Sequence, residues 1–290
     1  MFVIAGATGH VGSVVARELL RLQKPVTVLL RQEARAEEWR ALGAHVSLGE
    51  LENVAFVTEA LRGATGFFAL QPPNYTVPDF TAAQTALANG LGTAIEQSGV
   101  PHVVLLSSLG AHLQSGTGPI QGLYQFERAF SRTNTVLSTL RSSYFQENVM
   151  HAVGPARGAG VFISMAPGPD EQFARIAVSD VGRFAAAALV SPPPRSEIVN
   201  LLGPAYSNRE IARHLGAALG VELKLLEVPR EGWLPGMLKA GLPERAARLI
   251  AEMNDALAKG WLTTEAGRRH EATTRLEVTL TRLLQHAAEH

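Results

Sequence analysis

The sequence predicts an α/β fold, a doubly wound parallel sheet followed by a smaller and mainly helical C-terminal domain. Up to Leu140, short apolar runs alternate with amphipathic stretches, which is the pattern of parallel strands joined by crossover helices. Beyond Leu140 this alternation stops, and apolar residues recur mostly at helical spacing. The composition agrees, because 46% of the 290 residues are hydrophobic and 18% are charged, as in globular proteins.

Six strands are predicted in the first half of the chain, over residues 2–5, 26–30, 45–47, 66–70, 103–106 and 136–140. Several are apolar at consecutive positions, which is typical of strands that helices cover on both faces. The first helix between them has one apolar face, since Val11, Val15 and Leu19 recur at helical spacing. Further helices are predicted over residues 33–42, 54–62 and 80–98, each followed by a glycine that suits a helix C-terminus.

The second half begins with a glycine-rich segment, residues 154–160, which predicts a loop and the edge of a domain. Ser179 and Asp180 are then predicted to cap a helix, because both side chains accept hydrogen bonds from backbone N–H groups. Residues 198–202 form one more apolar run and are predicted to be a strand.

The last ninety residues are predicted to be mostly helical. Ser207 and Glu210 have the spacing of a capping box, which predicts the start of a helix that ends at Gly220. Residues 221–228 are a candidate strand between this helix and the helices that follow.

Composition also excludes several classes of function. Lys plus Arg and Asp plus Glu both total 26, so no broad positive field is available to hold nucleic acid. There is no cysteine, which excludes disulfides, thiolate metal sites and cysteine nucleophiles, and the histidines show no metal-ligand spacing. Neither a signal peptide nor an apolar run long enough for a membrane span is evident, so a cytoplasmic location is expected.

The most informative motif is Gly-Ala-Thr-Gly-His-Val-Gly at residues 6–12, between the first predicted strand and the first predicted helix. Glycine lets the backbone approach a pyrophosphate, and the N–H groups at the helix start stabilise its charge. The motif therefore predicts a dinucleotide site, with contacts from Gly6, Thr8, Gly9, His10, Val11 and Gly12. The alternative is a strand-to-helix turn that happens to use glycine.

The position after the second strand predicts which dinucleotide binds. An acidic residue there would accept hydrogen bonds from the adenosine ribose, but this chain has Arg31, with Arg35 one helical turn later. Because arginine binds a phosphate through paired hydrogen bonds, the sequence favours NADP(H) over NAD(H). The alternative is a solvated arginine at a helix start.

With these residues the chain resembles the NmrA-like family of atypical short-chain dehydrogenases/reductases, which includes NAD(P)H quinone reductases. Besides the glycine motif, the resemblance rests on residues 103–108, 140–148, 179–182, 202–204 and 210–212. It implies a Rossmann-type NADP(H)-binding domain of residues 1–150 that also receives residues 179–203. It further implies a smaller substrate or partner domain of residues 151–178 and 204–290, with a second ligand between the domains.

The catalytic residues of the family are only partly present in this chain. Many relatives carry a lysine, or in the quinone reductases a histidine, four residues before the glutamate that corresponds to Glu127, and this chain has Leu123 there. Tyr124, Arg128 and Ser107 instead match the tyrosine, cation and serine that donate a proton in ordinary members of the superfamily. The alternative is that Tyr124 packs and that Glu127 and Arg128 form a solvated face.

Further candidate residues line the expected ligand positions. Gln71 follows the fourth strand and is expected either to contact the cofactor or to begin a plain loop. The resemblance gives Tyr144 a role in contacting the cofactor. It also implies that Phe145 and Asn148 contact the substrate. Trp233 belongs to an apolar stripe that is expected either to line the substrate pocket or to pack in a core.

Together these features predict an NADPH-dependent reductase of a small quinone or other carbonyl compound. The alternative is a non-catalytic NADP(H)-binding sensor that acts through a protein partner, which the missing lysine favours. A sugar-nucleotide epimerase is a weaker alternative, because such enzymes need an intact tyrosine and lysine pair. The expected partner is a small-molecule substrate, with a homodimer also considered.

Overall fold

The computed structural model describes residues 1–165 and 168–288. The strands are β1 (Phe2–Ile4), β2 (Val26–Leu30), β3 (His45–Leu48), β4 (Gly66–Leu70), β5 (His102–Ser108), β6 (Val136–Ser142), β7 (Tyr144–Phe145), β8 (Val161–Ser164), β9 (Phe173–Ile176), β10 (Glu197–Leu202), β11 (Ala205–Tyr206), β12 (Lys224–Glu227) and β13 (Arg268–Glu271). The helices are α1 (His10–Arg21), α2 (Ala36–Ala41), α3 (Val54–Leu61), α4 (Phe80–Ser98), α5 (Gln121–Phe130), α6 (Val153–Ala159), α7 (Val178–Val190), α8 (Asn208–Leu219), α9 (Arg230–Lys239), α10 (Glu244–Ala258) and α11 (Leu276–Ala288). Short 3-10 turns lie at Glu33–Arg35, Gly118–Ile120 and Gln146–Ala152.

The centre of the molecule is an eight-stranded sheet in the order β13-β10-β6-β5-β4-β1-β2-β3. All of its strand pairs are parallel. The chain moves outward from β1 to β3 and then returns to the other side of β1 with β4. Such a reversal of strand order leaves a crevice at the carboxyl ends of the strands, where doubly wound folds bind ligands. The predicted fold class is therefore confirmed.

Helices cover both faces of this sheet. One apolar core lies under α1, α2 and α7, and the other lies under α3, α4 and α5. Helices α1 and α7 pack closely because α7 has Gly182 at the crossing, where a Cβ atom would lie 2.4 Å from Cγ1 of Val14. This packing fixes the start of α1, which carries the glycine motif, against the start of α7.

The strands predicted in the first half all form, and their bounds differ from the prediction by two residues or fewer. Helix α4 has the predicted bounds, and the predicted helix over residues 33–42 consists of a 3-10 turn followed by α2. In the second half, the predicted strand at residues 198–202 forms as β10, and β12 forms within residues 221–228. The capping box at α8 is present, since Ser207 accepts from the Glu210 N–H and Glu210 accepts from the Ser207 N–H.

The glycine-rich segment at residues 154–160 is a helix, so the prediction of a loop there is wrong. Helix α6 spans it and ends at Gly160, whose φ of +64° is the left-handed conformation of a helix C-terminus. Pro155 lies in the first turn, where its missing N–H removes no helical hydrogen bond. The helix is held by packing, because Ala156 is buried in the core that also contains Phe162.

The start of α7 also differs from the prediction. The helix begins at Val178, so Ser179 and Asp180 lie inside its first turn and do not cap it. The Asp180 carboxylate instead accepts hydrogen bonds from the backbone N–H and the hydroxyl of Thr274. The side chain that caps α7 comes from Glu147, which is distant in sequence.

The rest of the chain forms a small sheet in the order β11-β9-β7 and a parallel pair of β12 with β8. A separate core lies between α6, α8 and α11, and another lies between α9 and α10. Strand β13 does not belong to this part, because it pairs with β10 at the edge of the large sheet. The division into two domains stays a prediction, and β13 departs from the range that the sequence assigned to the smaller one.

Two findings concern the described residues as a whole. No helix among them is both long and apolar enough to cross a membrane. Within residues 1–165 and 168–288, no group of three or more histidine or acidic side chains is arranged to hold a metal ion.

His102 makes stability depend on pH. It begins β5, is 2% exposed, and its Nε2 lies 3.0 Å from the hydroxyl oxygen of Ser138. Burial lowers the pKa of His102 from 6.5 to about 4, so the unfolded chain binds a proton that the folded protein rejects. We expect the free energy of unfolding to fall by about 2 kcal/mol through this residue between pH 7 and pH 5.

Urea denaturation of the protein and of its His102→Gln variant at both pH values measures this effect. The loss on acidification should be smaller in the variant. Equal losses in the two proteins would show that other groups cause the dependence.

Candidate functional site

The glycine motif forms a tight turn between β1 and α1. The Ala5 N–H bonds to the Phe68 carbonyl oxygen of β4, which holds the end of β1 in the sheet. Gly6 has φ of +65°, a conformation that side chains other than glycine rarely adopt. The Gly9 N–H then donates to the Gly6 carbonyl oxygen at 2.9 Å. The chain thus reverses direction within a few residues and enters α1.

The start of α1 is open. Gly9 is the N-cap residue, and among the described residues no side chain accepts a hydrogen bond from the first N–H groups of the helix. Thr8, Gly9 and His10 are exposed, whereas Val11 is buried in the core and offers only its backbone. Gly12 must lack a side chain, because a Cβ atom there would lie 2.3 Å from the Gly6 carbonyl oxygen.

These features fit the pyrophosphate of a dinucleotide. Uncapped N–H groups at a helix N-terminus stabilise negative charge, and the turn keeps side chains away from the approach. The motif therefore forms one turn and helix start, with Thr8, Gly9 and His10 exposed and with Val11 and Gly12 buried, and its contacts with a cofactor stay a prediction.

Two arginines follow β2, and their surroundings differ. Arg31 is exposed, and in the described part of the chain it makes no ion pair. Arg35 lies 3.5 Å from the Glu38 carboxylate, which also accepts from Arg17 at 2.5 Å. Among the described residues Glu38 therefore partly balances the charge of Arg35, whereas no carboxylate pairs with Arg31.

Gln71 lies just after β4 and is in close contact with α5. Its Nε2 donates to the Pro119 carbonyl oxygen at 3.2 Å. Its Oε1 is buried and, among the described residues, has no hydrogen-bond partner. Gly122 allows this contact, since a Cβ atom there would lie 2.3 Å from Gln71 Oε1. Gln71 therefore keeps an unused hydrogen-bond acceptor at the carboxyl end of the sheet.

Ser107 belongs to a buried ionic group at the ends of β5 and β6. Its hydroxyl donates to Glu127 Oε1 at 2.5 Å. Arg141 donates to both oxygens of the same carboxylate, at 3.0 and 2.7 Å. The side chains of Arg141 and Glu127 are only 6% and 14% exposed. Ser107 is therefore held by Glu127, and the group fixes α5 to the sheet.

A solvated Glu127, which was the alternative prediction, is contradicted by this burial and by the pair with Arg141, which the sequence did not predict. The available signal was a charged residue, Arg141, directly after the predicted strand at residues 136–140, because a charge at the end of a strand that is covered on both faces needs a partner.

Tyr124 and Arg128 are paired as the spacing predicts, with Arg128 Nη1 3.0 Å from the tyrosine hydroxyl oxygen. Glu127, which lies between them in sequence, bonds instead to Ser107 and Arg141. Tyr124 and Arg128 border a polar surface groove of about 380 Å³ together with Thr85, Asn89, Gln114, Gln125, Ala129 and Arg132. Among the described residues, no hydrogen bond joins this pair to Ser107. The predicted proton-donating set is thus divided between two places, and the catalytic role of Tyr124 stays a prediction.

Tyr144 and Phe145 form β7, at the carboxyl end of β6, and both are half-buried. The Tyr144 ring meets the Phe173 ring edge to face, with 6.3 Å between the centroids. Asn148 is half-buried in the following 3-10 turn. The structure therefore places these three predicted contact residues in one stretch beside the end of the sheet.

Trp233 lies elsewhere, in the small core between α9 and α10. It is buried, and its Nε1 donates to the Val228 carbonyl oxygen at 2.8 Å. This environment matches the packing alternative, and a role in substrate binding stays a prediction.

Glu147 caps α7 from a distant part of the chain. Both of its carboxylate oxygens lie 3.0 Å from the Val178 nitrogen, so it caps α7. Burial raises the pKa of Glu147, while the Val178 N–H and the nearby His10 act in the opposite direction. The sequence predicted no capping role for this glutamate, which had been noted only as part of the motif at residues 140–148. Its partners could not be read from local spacing.

Comparisons with known proteins agree with this fold. The chain matches the NmrA-like family over residues 1–260. It is 27% identical over 254 residues to an NAD(P)H azoreductase of Xenophilus azovorans, covering 87% of this chain and 86% of the relative. It is 26% identical to a nitrogen metabolite regulation-like protein, bik4, of Gibberella fujikuroi, covering 86% and 83%. A crystal structure of an NADPH-dependent quinone oxidoreductase from Escherichia coli, complexed with NADPH, superposes with a TM-score of 0.83 at 22% identity, covering 98% and 100% of the two chains.

Proposed function

The chain belongs to the NmrA-like family, and we propose that it is an NADPH-dependent reductase of quinones and related small carbonyl compounds. The observation that carries this proposal is the open N-terminus of α1 at the glycine motif, beside the exposed Arg31. The family relative named as an NAD(P)H azoreductase and the quinone oxidoreductase with the same fold support it.

The choice of NADPH rests on Arg31. A guanidinium at the end of β2 can bind a 2′-phosphate through two charge-assisted hydrogen bonds. No carboxylate in the described part of the chain pairs with it, so this binding would break no ion pair.

We expect Arg31→Ala to weaken NADPH binding about tenfold or more and to leave NADH binding unchanged, because one charge-assisted contact contributes roughly 1.5 to 3 kcal/mol. Arg35→Ala is the matched control and should have the smaller effect, since Glu38 already pairs with Arg35. Calorimetric titration of both cofactors into the unmodified protein and the two variants measures the six affinities. Equal losses of NADPH and NADH in Arg31→Ala would contradict the assignment.

Bound NADPH would supply the hydride. The chain would align the acceptor and exclude water from it, which requires no acid at the position of Leu123. Leu123 lies one turn before Glu127 on the same side of α5 and offers no proton. A quinone accepts the hydride with its two electrons and takes the second proton from water to give a hydroquinone. The apolar side chain at this position therefore favours acceptors whose reduced oxygens are acidic.

Tyr124→Phe tests whether a positioned proton donor is needed. Because the Tyr124 hydroxyl is bonded to Arg128 in a surface groove, we expect quinone turnover to change by less than about twofold. A fall of about 10² to 10⁴ in kcat for ketones or aldehydes would assign the tyrosine as their proton donor. Steady-state rates with one quinone and one aldehyde distinguish these outcomes.

Oxidation of NADPH by the purified protein, followed with a panel of quinones, aldehydes and ketones, tests the proposed function directly. Turnover of quinones above the rate without protein is the expected result. Tight NADPH binding without turnover of any acceptor would contradict it.

A sensor of the NADP(H) redox state is the second candidate. Leu123 favours it, since this position carries no group for proton transfer, and the regulation-like relative bik4 gives it further support. NADPH binding without turnover in the acceptor panel is the result that this candidate predicts.

A further inference from the structure

Arg175 on β9 is a buried cation without a counter-ion. It is 7% exposed, and no carboxylate within residues 1–165 and 168–288 pairs with it. Burial lowers the pKa of the guanidinium to about 10, so the group stays protonated at neutral pH. Burying a charge is costly unless it is paired. A cation in such a position therefore calls for an anion.

Few donors of the guanidinium are used within the described structure. Its Nη2 donates to Oδ1 of Asn208 at 3.2 Å, and its Nε has no hydrogen-bond partner in the described structure. Asn208 is held in place by its own bond to the Ser164 hydroxyl at 2.8 Å. Among the described residues, one neutral acceptor thus serves a group with five N–H donors.

Aromatic rings flank the same guanidinium. The Cζ atom of Arg175 lies 3.9 Å from the centroid of the Phe173 ring and 5.0 Å from that of the Tyr144 ring. Tyr144 and Arg175 are direct neighbours on the paired strands β7 and β9. The cation therefore lies beside Tyr144, close to the carboxyl end of β6 in the large sheet.

We propose that Arg175, with Tyr144 and Phe173, binds the carboxylate of an aromatic ligand, so that the reductase prefers acceptors carrying an acidic group. The planar guanidinium matches the two oxygens of a carboxylate, and the rings match the aromatic body. This substrate class rests on the proposed function, whereas the anion site itself does not depend on turnover.

Calorimetric titration with benzoate and with benzamide, its neutral analogue, tests the site in the protein loaded with NADP⁺. We expect benzoate to bind at least about tenfold more tightly, because a charge-assisted pair replaces a neutral hydrogen bond. Arg175→Gln should remove this preference and leave NADPH affinity unchanged. Equal affinities for the two ligands in the unmodified protein would overturn the proposal.

Asn208→Asp provides a second test in which the arginine is kept. The new carboxylate would lie against Nη2 and serve as the internal counter-ion, in a first helical turn where acidic residues are favourable. The variant should unfold at a higher temperature and lose the preference for benzoate. Benzoate binding as strong as in the unmodified protein would overturn the proposal even if Arg175→Gln failed to fold.

The two proposals can fail separately. Preference for benzoate in a protein that reduces no quinone would support the anion site and contradict the reductase function. Quinone turnover without any preference for benzoate would support the reductase function and contradict the anion site. If both stand, kcat/KM for a carboxylated quinone should exceed that for its methyl ester in the unmodified protein and not in Arg175→Gln.

Discussion

Gly9→Val is expected to abolish NADPH binding, lowering the affinity at least about 100-fold, in a protein that still folds. Two or more charge-assisted contacts to the pyrophosphate would be lost, each contributing roughly 1.5 to 3 kcal/mol. Folding should survive because Gly9 has φ of −96° and ψ of 178°, an extended conformation that valine adopts readily. The added Cβ atom would meet only the Gly6 carbonyl oxygen, at 3.3 Å.

Gly9 is a better position for this test than Gly12, because a side chain at Gly9 leaves the fold intact. Gly12→Val would place Cβ 2.3 Å from the Gly6 carbonyl oxygen and 2.9 Å from the Ala5 carbonyl oxygen, so it would disturb the backbone itself. Gly154→Val is the matched control, since Gly154 is exposed and a Cβ atom there meets nothing within 4 Å. Thermal unfolding and calorimetry of Gly9→Val and Gly154→Val separate binding from folding. Normal NADPH affinity in a folded Gly9→Val protein would exclude the glycine motif as the phosphate site.

Glu127→Ala should lower the free energy of unfolding by about 3 to 5 kcal/mol, because it leaves a buried guanidinium without its carboxylate. Arg141 donates to both oxygens of Glu127, and Ser107 donates to one of them. Urea denaturation monitored by circular dichroism measures the change. Ser107→Ala should cost less, since the ion pair remains.

A double variant provides the control for this prediction. Replacing both Glu127 and Arg141 by leucine removes both charges, and apolar replacement of a whole buried pair is often neutral or stabilising. The double variant should therefore be more stable than Glu127→Ala. If Glu127→Ala lost less than about 1 kcal/mol, the pair would behave like a solvent-exposed ion pair.

The elements that the sequence predicted well are those with strong local signals. Residues 80–98 form a helix that is capped at Asp79 and ends at Gly99, and both signals are readable in the sequence. The glycine motif is equally local, because its chemistry depends on the backbone of seven consecutive residues. The loop predicted at residues 154–160 was wrong because the local signal misled there. Tertiary packing of Ala156 outweighed the low helix propensity of glycine.

Side-chain groups assembled from distant segments could not be predicted. The cluster of Ser107, Glu127 and Arg141 joins two strands and a helix, and the pair of Arg175 with Asn208 joins β9 to α8. Tyr124 shows that residue spacing along a helix predicts neighbours but not which of them face the rest of the protein. The spacing correctly placed it beside Arg128 but could not determine which side of α5 faces the sheet.

Strand β13 affects how the molecule is completed during synthesis. Its partner β10 ends at Leu202, and the chain must still produce α8, α9 and α10 before Arg268 can pair with Val199. Until then the apolar β10 is an open edge, and unpaired strand edges promote aggregation of nascent chains. When β13 arrives, its sequence Arg-Arg-His-Glu gives the finished sheet a charged rim. Such a rim disfavours the addition of a strand from another molecule.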